Sequence, residues 1–294
     1  MEDRWRDKPA TGKLYCGASM PSTFPPRQHV LLARDAPMAV ILRRGPSKAV
    51  CSILWDRRND TFTLGQWLRG RIYERRSDLS PDGRHLIYFA MNGKWDGETG
   101  GSWTAISRAP YLKAIMLLGK GDCWNGGGFF TGKGTYWLND GYGHKPLLSC
   151  SAVTRDAAYK PASHFGGECP SAYYPRLLRD GWTLIGKEGA QLDSRTTFEK
   201  PLPHGWLLRK IAHEQVGAPP GKSCYWDEHE LVRPGGNEVI SKPNWEWAEW
   251  SNRSLLWTEK GCLYRSGLTA TGLENPTLLK DFTEMKFEPL EAPY

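Results

Sequence analysis

The chain has 294 residues, of which 39% are hydrophobic, 12% aromatic and 24% charged, and its 39 Lys and Arg outweigh 32 Asp and Glu for a net charge of +7. That length and apolar content permit a large core and exclude a disordered chain. The 32 Gly, 21 Pro and 14 Trp favour many turns and aromatic packing positions over long helices.

At the N-terminus, MEDRWRDKPATGKLYCG carries charges with no apolar run behind them, and nowhere do about 18 apolar residues run together. The expectation is a soluble, cytoplasmic protein with no membrane partner. Residues 1–25, running into the Pro-rich PSTFPPR, are expected to be loosely ordered, and 26–294 to form a single domain, since Pro- and Gly-rich pieces such as GAPPGK (217–222) read as loops between strands. The seven cysteines (Cys16, Cys51, Cys123, Cys150, Cys169, Cys224 and Cys262) are odd in number and never spaced CxxC. They read as reduced, mostly buried thiols and not as a disulfide framework.

The first apolar burst is MAVILRR from Met38. WLRGRIYERR (67–76) follows, and its alternation predicts one two-faced strand displaying arginines. Ser80-Pro81-Asp82-Gly83 is a turn, with Pro presetting φ and Gly free to take φ > 0. HLIYFA (85–90) and SWTAISRA (102–109) then read as a hairpin. Further bursts begin at Thr135 (TYWLND), Thr183 (TLIGK) and Leu255 (LLWTEKGCLYR), and HGWLLRK occupies 204–210. From Met38 through Leu86 and Thr135 to Thr183 the steps are 48, 49 and 48 residues. The interval from Thr183 to Leu255 is half a unit too long, as an inserted hairpin would make it. A period of this size, with four short strands per unit, is the signature of propeller blades, because one blade cannot bury both faces alone.

SDLSPDGRHLIYFAMNGK, continued by GSWTAISR, resembles the WD40-like repeat of TolB-type β-propellers, and WAEWSNRSLLWTEKGCLYR is a weaker second copy with Asn-Arg in place of Asp-Gly. The resemblance covers about two blades. It implies an all-β β-propeller, with five blades fitting the length best and six also fitting; the segment 30–75 supplies either a complete first blade or outer strands that close the ring. The alternative is a β-sandwich of many short strands.

The seven histidines show no HExxH, and no GxSxG nucleophile turn is present. NGGGFFTGKGT (125–135) lacks the GxxxxGK[ST] spacing and leads into a strand where a phosphate loop must open a helix. No catalytic residue, metal or cofactor is therefore assigned. The leading expectation is a non-enzymatic intracellular scaffold for another protein, one of acidic character. Trp67, Arg69, Arg71, Arg75, Arg76, Trp95 and Trp103 are its candidate contact residues, since Trp and Arg carry interface energy. Two alternatives stand beside it: a nucleic-acid-binding propeller using the Arg-rich rim, and a glycoside hydrolase or glycan-binding propeller, which would need paired carboxylates and Trp platforms.

Overall fold

The structure, a computed structural model, describes residues 24–45, 48–190, 193–233, 235 and 238–294. Residues 1–23 of the N-terminal stretch expected to be loose, with Cys16, lie outside the described residues. The described residues are all-β apart from one α-helix and a short 3-10 turn.

Among the described residues five sheets of three or more strands follow one another along the chain, with a small two-stranded sheet beside the last. Sheet A is β1 (Arg27–Leu32), β2 (Met38–Arg44), β3 (Ala49–Asp56) and β4 (Thr61–Arg69). Sheet B is β5 (Arg71–Leu79), β6 (His85–Met91), β7 (Ser102–Arg108) and β8 (Ala114–Gly119). Sheet C pairs β9 (Gly128–Phe130) with β10 (Thr135–Leu138); β11 (Lys145–Leu148) returns to the β8 edge of sheet B, and β12 (Thr154–Arg155) adds to β10 in parallel. Helix α1 (Cys169–Arg179) comes next. Sheet D then runs through β13 (Thr183–Ala190), β14 (Asp193–Pro201), β15 (Leu207–Gln215), β16 (Tyr225–Arg233) and β17 (Glu238–Lys242). Sheet E is β18 (Trp247–Ser251), β19 (Ser254–Glu259) and β20 (Cys262–Ser266), joined beyond the small hairpin β21 (Leu268–Thr269) and β22 (Gly272–Leu273) by β23 (Thr277–Asp281).

Period-two alternation lets one strand serve two cores. In β1, Val30 packs with Trp247 and Leu256 of sheet E, while Leu31 packs with Ile72 and Leu86 of sheet B. In β6, Leu86 and Tyr88 face sheet A, whereas Ile87 joins Phe130 and Tyr136 of sheet C. Sheets D and E share the largest aromatic core, including Phe198, Trp206, Trp245 and Trp257. The sheets therefore stack face to face in the order C, B, A, E, D, a sandwich-like arrangement in which no sheet closes on itself.

Helix α1 meets both ends of that series, because Arg179 donates to the Phe130 carbonyl in sheet C (2.9 Å) and Tyr173 donates to Asp227 in sheet D (2.7 Å). Every residue from Cys169 to Leu177 is buried. The helix ends in a Schellman arrangement: Gly181 at φ +85° donates to Leu178 O and Trp182 N to Leu177 O, folding the indole back onto the core.

The turn at Ser80–Gly83 forms as expected, with Gly83 at φ +75° and the Ser80 hydroxyl donating to Asp82 at 2.6 Å. Where sheets B and C meet, Gly127 N donates to Thr104 Oγ1 (2.8 Å), Thr104 bonds His144 Nε2 (3.1 Å), and His144 Nδ1 bonds Asp140 (2.6 Å). With Asp140 accepting from Nδ1–H, the Thr104 hydroxyl donates to Nε2. Thr104 is fully buried, so this Asp-His-Thr chain ties elements together and offers no hydroxyl to a ligand.

Three readings need correction and a fourth is settled between its alternatives. The single strand expected over 67–76 is two strands in two sheets, broken at Gly70. Thr183 does not mark a repeat: it starts β13, the outer strand of sheet D, while inner strands of the five sheets begin at Met38, His85, Thr135, Leu207 and Ser254, leaving α1 and β13 inside the long interval. Of the two roles open to the segment 30–75, the structure has the complete unit and not the ring-closing strands: sheet A takes all four of its strands from residues 27–69, although 71–75 pass into sheet B. Of the described cysteines, Cys51 and Cys169 are buried but Cys123 and Cys224 are exposed, so the thiols are not mostly buried.

Candidate functional site

A cleft of about 500 Å³ opens where sheets A, D and E meet helix α1. This volume lies in the range of small-ligand sites. Its floor is His29 from β1, Tyr173 and Arg176 from α1, and Lys210 from β15; Trp182 and Trp247 form its apolar walls. Six cationic side chains line it, Arg34, Arg57, Arg176, Arg179, Lys200 and Lys210, against three carboxylates.

All three carboxylates are already engaged. Arg179 bridges Asp78 (2.5 Å) and Asp180 (2.8 Å), and Lys200 holds Glu249 at 2.7 Å. Arg34 instead donates to Phe130 O (3.0 Å), and Arg57 to the Ser251 hydroxyl (2.6 Å) and to Ala33 and Ala36 carbonyls. Arg176 donates to Ser77 O and to His29 Nε2. Among the described residues, no carboxylate lies within ion-pair distance of Arg34, Arg57 or Arg176. Burial works against the charge of the half-buried Arg57, yet a guanidinium does not deprotonate. An anion in the cleft would offset that cost.

Lys210 is the most perturbed of the lining amines. Burial pulls it down to about 8, with Asp227 and Glu249 opposing, and its Nζ lies 2.7 Å from His229 Nε2 and 4.8 Å from the Trp182 ring. Burial, reinforced by Arg176, holds His29 neutral, so it adds no charge. His29 also lines a second cavity of about 50 Å³ with Glu246, whose carboxylate accepts from Gln28 N (2.8 Å) and is pushed up to about 7 by burial. Among the described residues, no three His, Cys, Asp or Glu side chains converge as metal ligands, and no helix is long and apolar enough to cross a membrane.

The seven candidate contact residues do not form one patch. Arg75 and Arg76 were expected on an exposed rim and are buried, at 5% and 1% exposure. The reason is a bulge in β5: Tyr73 pairs with Phe89 and Asp78 with Ile87, so Glu74–Ser77 leave the ladder and alternation fails there. Arg75 turns in to Asp227 (2.7 Å), and Arg76 donates to Cys123 O (2.8 Å) above the Phe89 ring. Arg71 is half-buried over Tyr73, and Trp103 is half-buried against the core shared by sheets A and B. Trp95 is exposed and stacks over Gly101, where a Cβ would lie 2.6 Å from the indole. Trp67 and Arg69 share a different neighbour, Phe287 (5.7 and 4.8 Å). None of the seven lines the cleft. Its cations come from positions between 34 and 210, and only folding gathers them.

No family model and no curated protein matches the chain. Among solved structures it is similar to a chain of Kuenenia stuttgartiensis hydrazine synthase, at 9% identity and a TM-score of 0.31, covering 87% of this chain and 80% of that one. A likeness at that level carries no argument for fold or activity.

Proposed function

We propose that the chain is a non-enzymatic interaction scaffold built as one five-bladed β-propeller domain, with sheets A to E as blades and α1 at the hub, and that its cleft receives an acidic segment of a partner protein. The consecutive meanders, the two-faced burial of β1 and β6, and the contact of α1 with sheets C and D support the architecture. The observation that carries the function is the cation surplus of the cleft, with three guanidinium groups lacking a carboxylate. Charge of this kind steers an acidic partner and fixes its register.

The test is capture of partners from cell extract after nuclease treatment, comparing the wild type with Arg34→Glu, at an exposed residue that donates to the Phe130 carbonyl. A stoichiometric acidic protein retained by the wild type and lost by the variant supports the reading. Equal retention by both removes the cleft from it.

A further inference from the structure

A separate cleft of about 540 Å³ lies between Trp124, the segment leading into α1, and strands β13 to β16 of sheet D. It shares no lining residue with the cation-rich cleft: Tyr173 lines one and Tyr174 the other, since consecutive helical side chains diverge by about 100°. Two carboxylates line it, Glu168 and Glu214. Glu214 accepts from the Tyr174 hydroxyl at 3.1 Å and from Lys187 Nζ at 3.2 Å, both at Oε1. Glu168 accepts from the Tyr225 hydroxyl at Oε2, the oxygen that also lies 3.9 Å from Arg76 Nη2. Each carboxylate is thus held through one oxygen, and among the described residues nothing donates to Glu214 Oε2 or Glu168 Oε1.

Aromatic surface stands beside these oxygens. Trp124 is 50% exposed, and its indole packs against Gly167, where a Cβ would lie 3.6 Å from the ring. Phe165, half-buried, meets Tyr174 edge-on at 5.4 Å. The Thr196 hydroxyl, on a residue only 2% exposed, lies beside Tyr174 without a hydrogen bond of good geometry. A buried hydroxyl left in that state costs free energy that a ligand bonding to it restores.

Local charge selects the ligand. Each carboxylate already has a cation beside it, so a cationic ligand would compete with Lys187 and Arg76, and an anionic one would meet two carboxylates. A neutral ligand rich in hydroxyl groups meets neither obstacle. Its O–H groups donate to the two free oxygens, one of its oxygens accepts from Thr196, and the C–H face of a sugar ring covers the indole. We propose that this cleft binds an uncharged saccharide, with Trp124 as its platform and Glu168 and Glu214 as hydroxyl acceptors. It is a second ligand site, independent of the cleft assigned to a partner protein, and its carboxylates serve recognition alone.

The test is isothermal titration calorimetry of the full chain with cellohexaose, xylohexaose, mannohexaose and chitohexaose. Saturable binding of at least one is expected, weakened about tenfold by Trp124→Ala, whose melting temperature stays that of the wild type because the ring is half in solvent. Thr196→Val is expected to leave the free protein as stable as before and to weaken the saccharide about threefold or more, whereas a merely structural hydroxyl would show the reverse. Arg34→Glu, in the other cleft, should leave saccharide binding unchanged. No binding of any of the four at about 10 mM, or equal affinity in Trp124→Ala, overturns the assignment. Binding of spermine in place of the saccharides, lost on Trp124→Ala, would give the cleft to a cation and overturn it as well.

Discussion

Arg75 Nη2 donates to Asp227 Oδ1 at 2.7 Å, and this buried pair ties the bulge of β5 in sheet B to β16 in sheet D, 152 residues away. Burial alone would raise the Asp227 carboxyl, but Arg75 and Lys210 outweigh it and bring it down to about 2. Removing one partner strands the other charge without water. Arg75→Leu is expected to destabilise the fold by about 3–5 kcal/mol, read as the urea midpoint at constant m-value. A midpoint within error of the wild type would show that the pair does not hold the two sheets together.

Glu246 sets a pH dependence of definite sign. Its folded-state value is raised from 4.5 to about 7, so the fold favours the protonated carboxyl. The stability this provides is fully present below pH 4.5 and is lost as pH rises through about 7. Glu246→Gln keeps the acceptor for Gln28 N and removes the titration. The variant is expected to match the wild type near pH 4.5 and to exceed it by up to about 3 kcal/mol at pH 8. Parallel stability curves for the two proteins across this range would refute the assignment.

Gly83 sits at φ +75°, and a Cβ there would approach Met38 Cβ to 2.8 Å. A valine suffers both the left-handed backbone and the contact. Gly83→Val should cost about 2–4 kcal/mol and lower the melting temperature by more than Asp82→Ala does, since the latter removes the bonds from Ser80 and Arg84 without straining the backbone. Thermal denaturation of the two variants side by side decides it.

In the Gly127–Thr104–His144–Asp140 chain, Thr104 is both acceptor and donor. Thr104→Val keeps the shape and leaves a buried N–H and an imidazole nitrogen unpaired. The expected loss is about 1–3 kcal/mol, with faster amide exchange at Gly127 as the local signature. Unchanged exchange at Gly127 would mean that water replaces the hydroxyl.

Much of the fold was legible because strands that bury both faces must be rich in β-branched and aromatic residues, as MAVILRR and HLIYFA are, and because Ser-Pro-Asp-Gly permits little except a turn. Helix α1 was not. Its sequence CPSAYYPRLLR contains two prolines and lacks a capping side chain, and at 11 residues it is too short for its apolar pattern to stand out among the strands. The cleft was equally hidden, since its cations come from strands, loops and a helix spread over the chain. For the arginines of β5, alternation was the wrong guide: a bulge is invisible to a period-two pattern, so Arg75 and Arg76 read as rim and are core. Charge reversal at those two positions would unfold the protein before it reported on binding.

The partners of helix α1 are divided by the order of synthesis. His29, Ser77 and Asn139 are made before it, whereas Glu214 and Asp227, which accept from Tyr174 and Tyr173, are made after it. Until β15 and β16 have emerged from the ribosome, the Tyr173 and Tyr174 hydroxyls and Arg75 lack the carboxylates that they meet in the native fold. A chain stalled or cleaved in that interval keeps polar groups and aromatic surface uncovered at its centre, and is the species that chaperones and proteases would meet first.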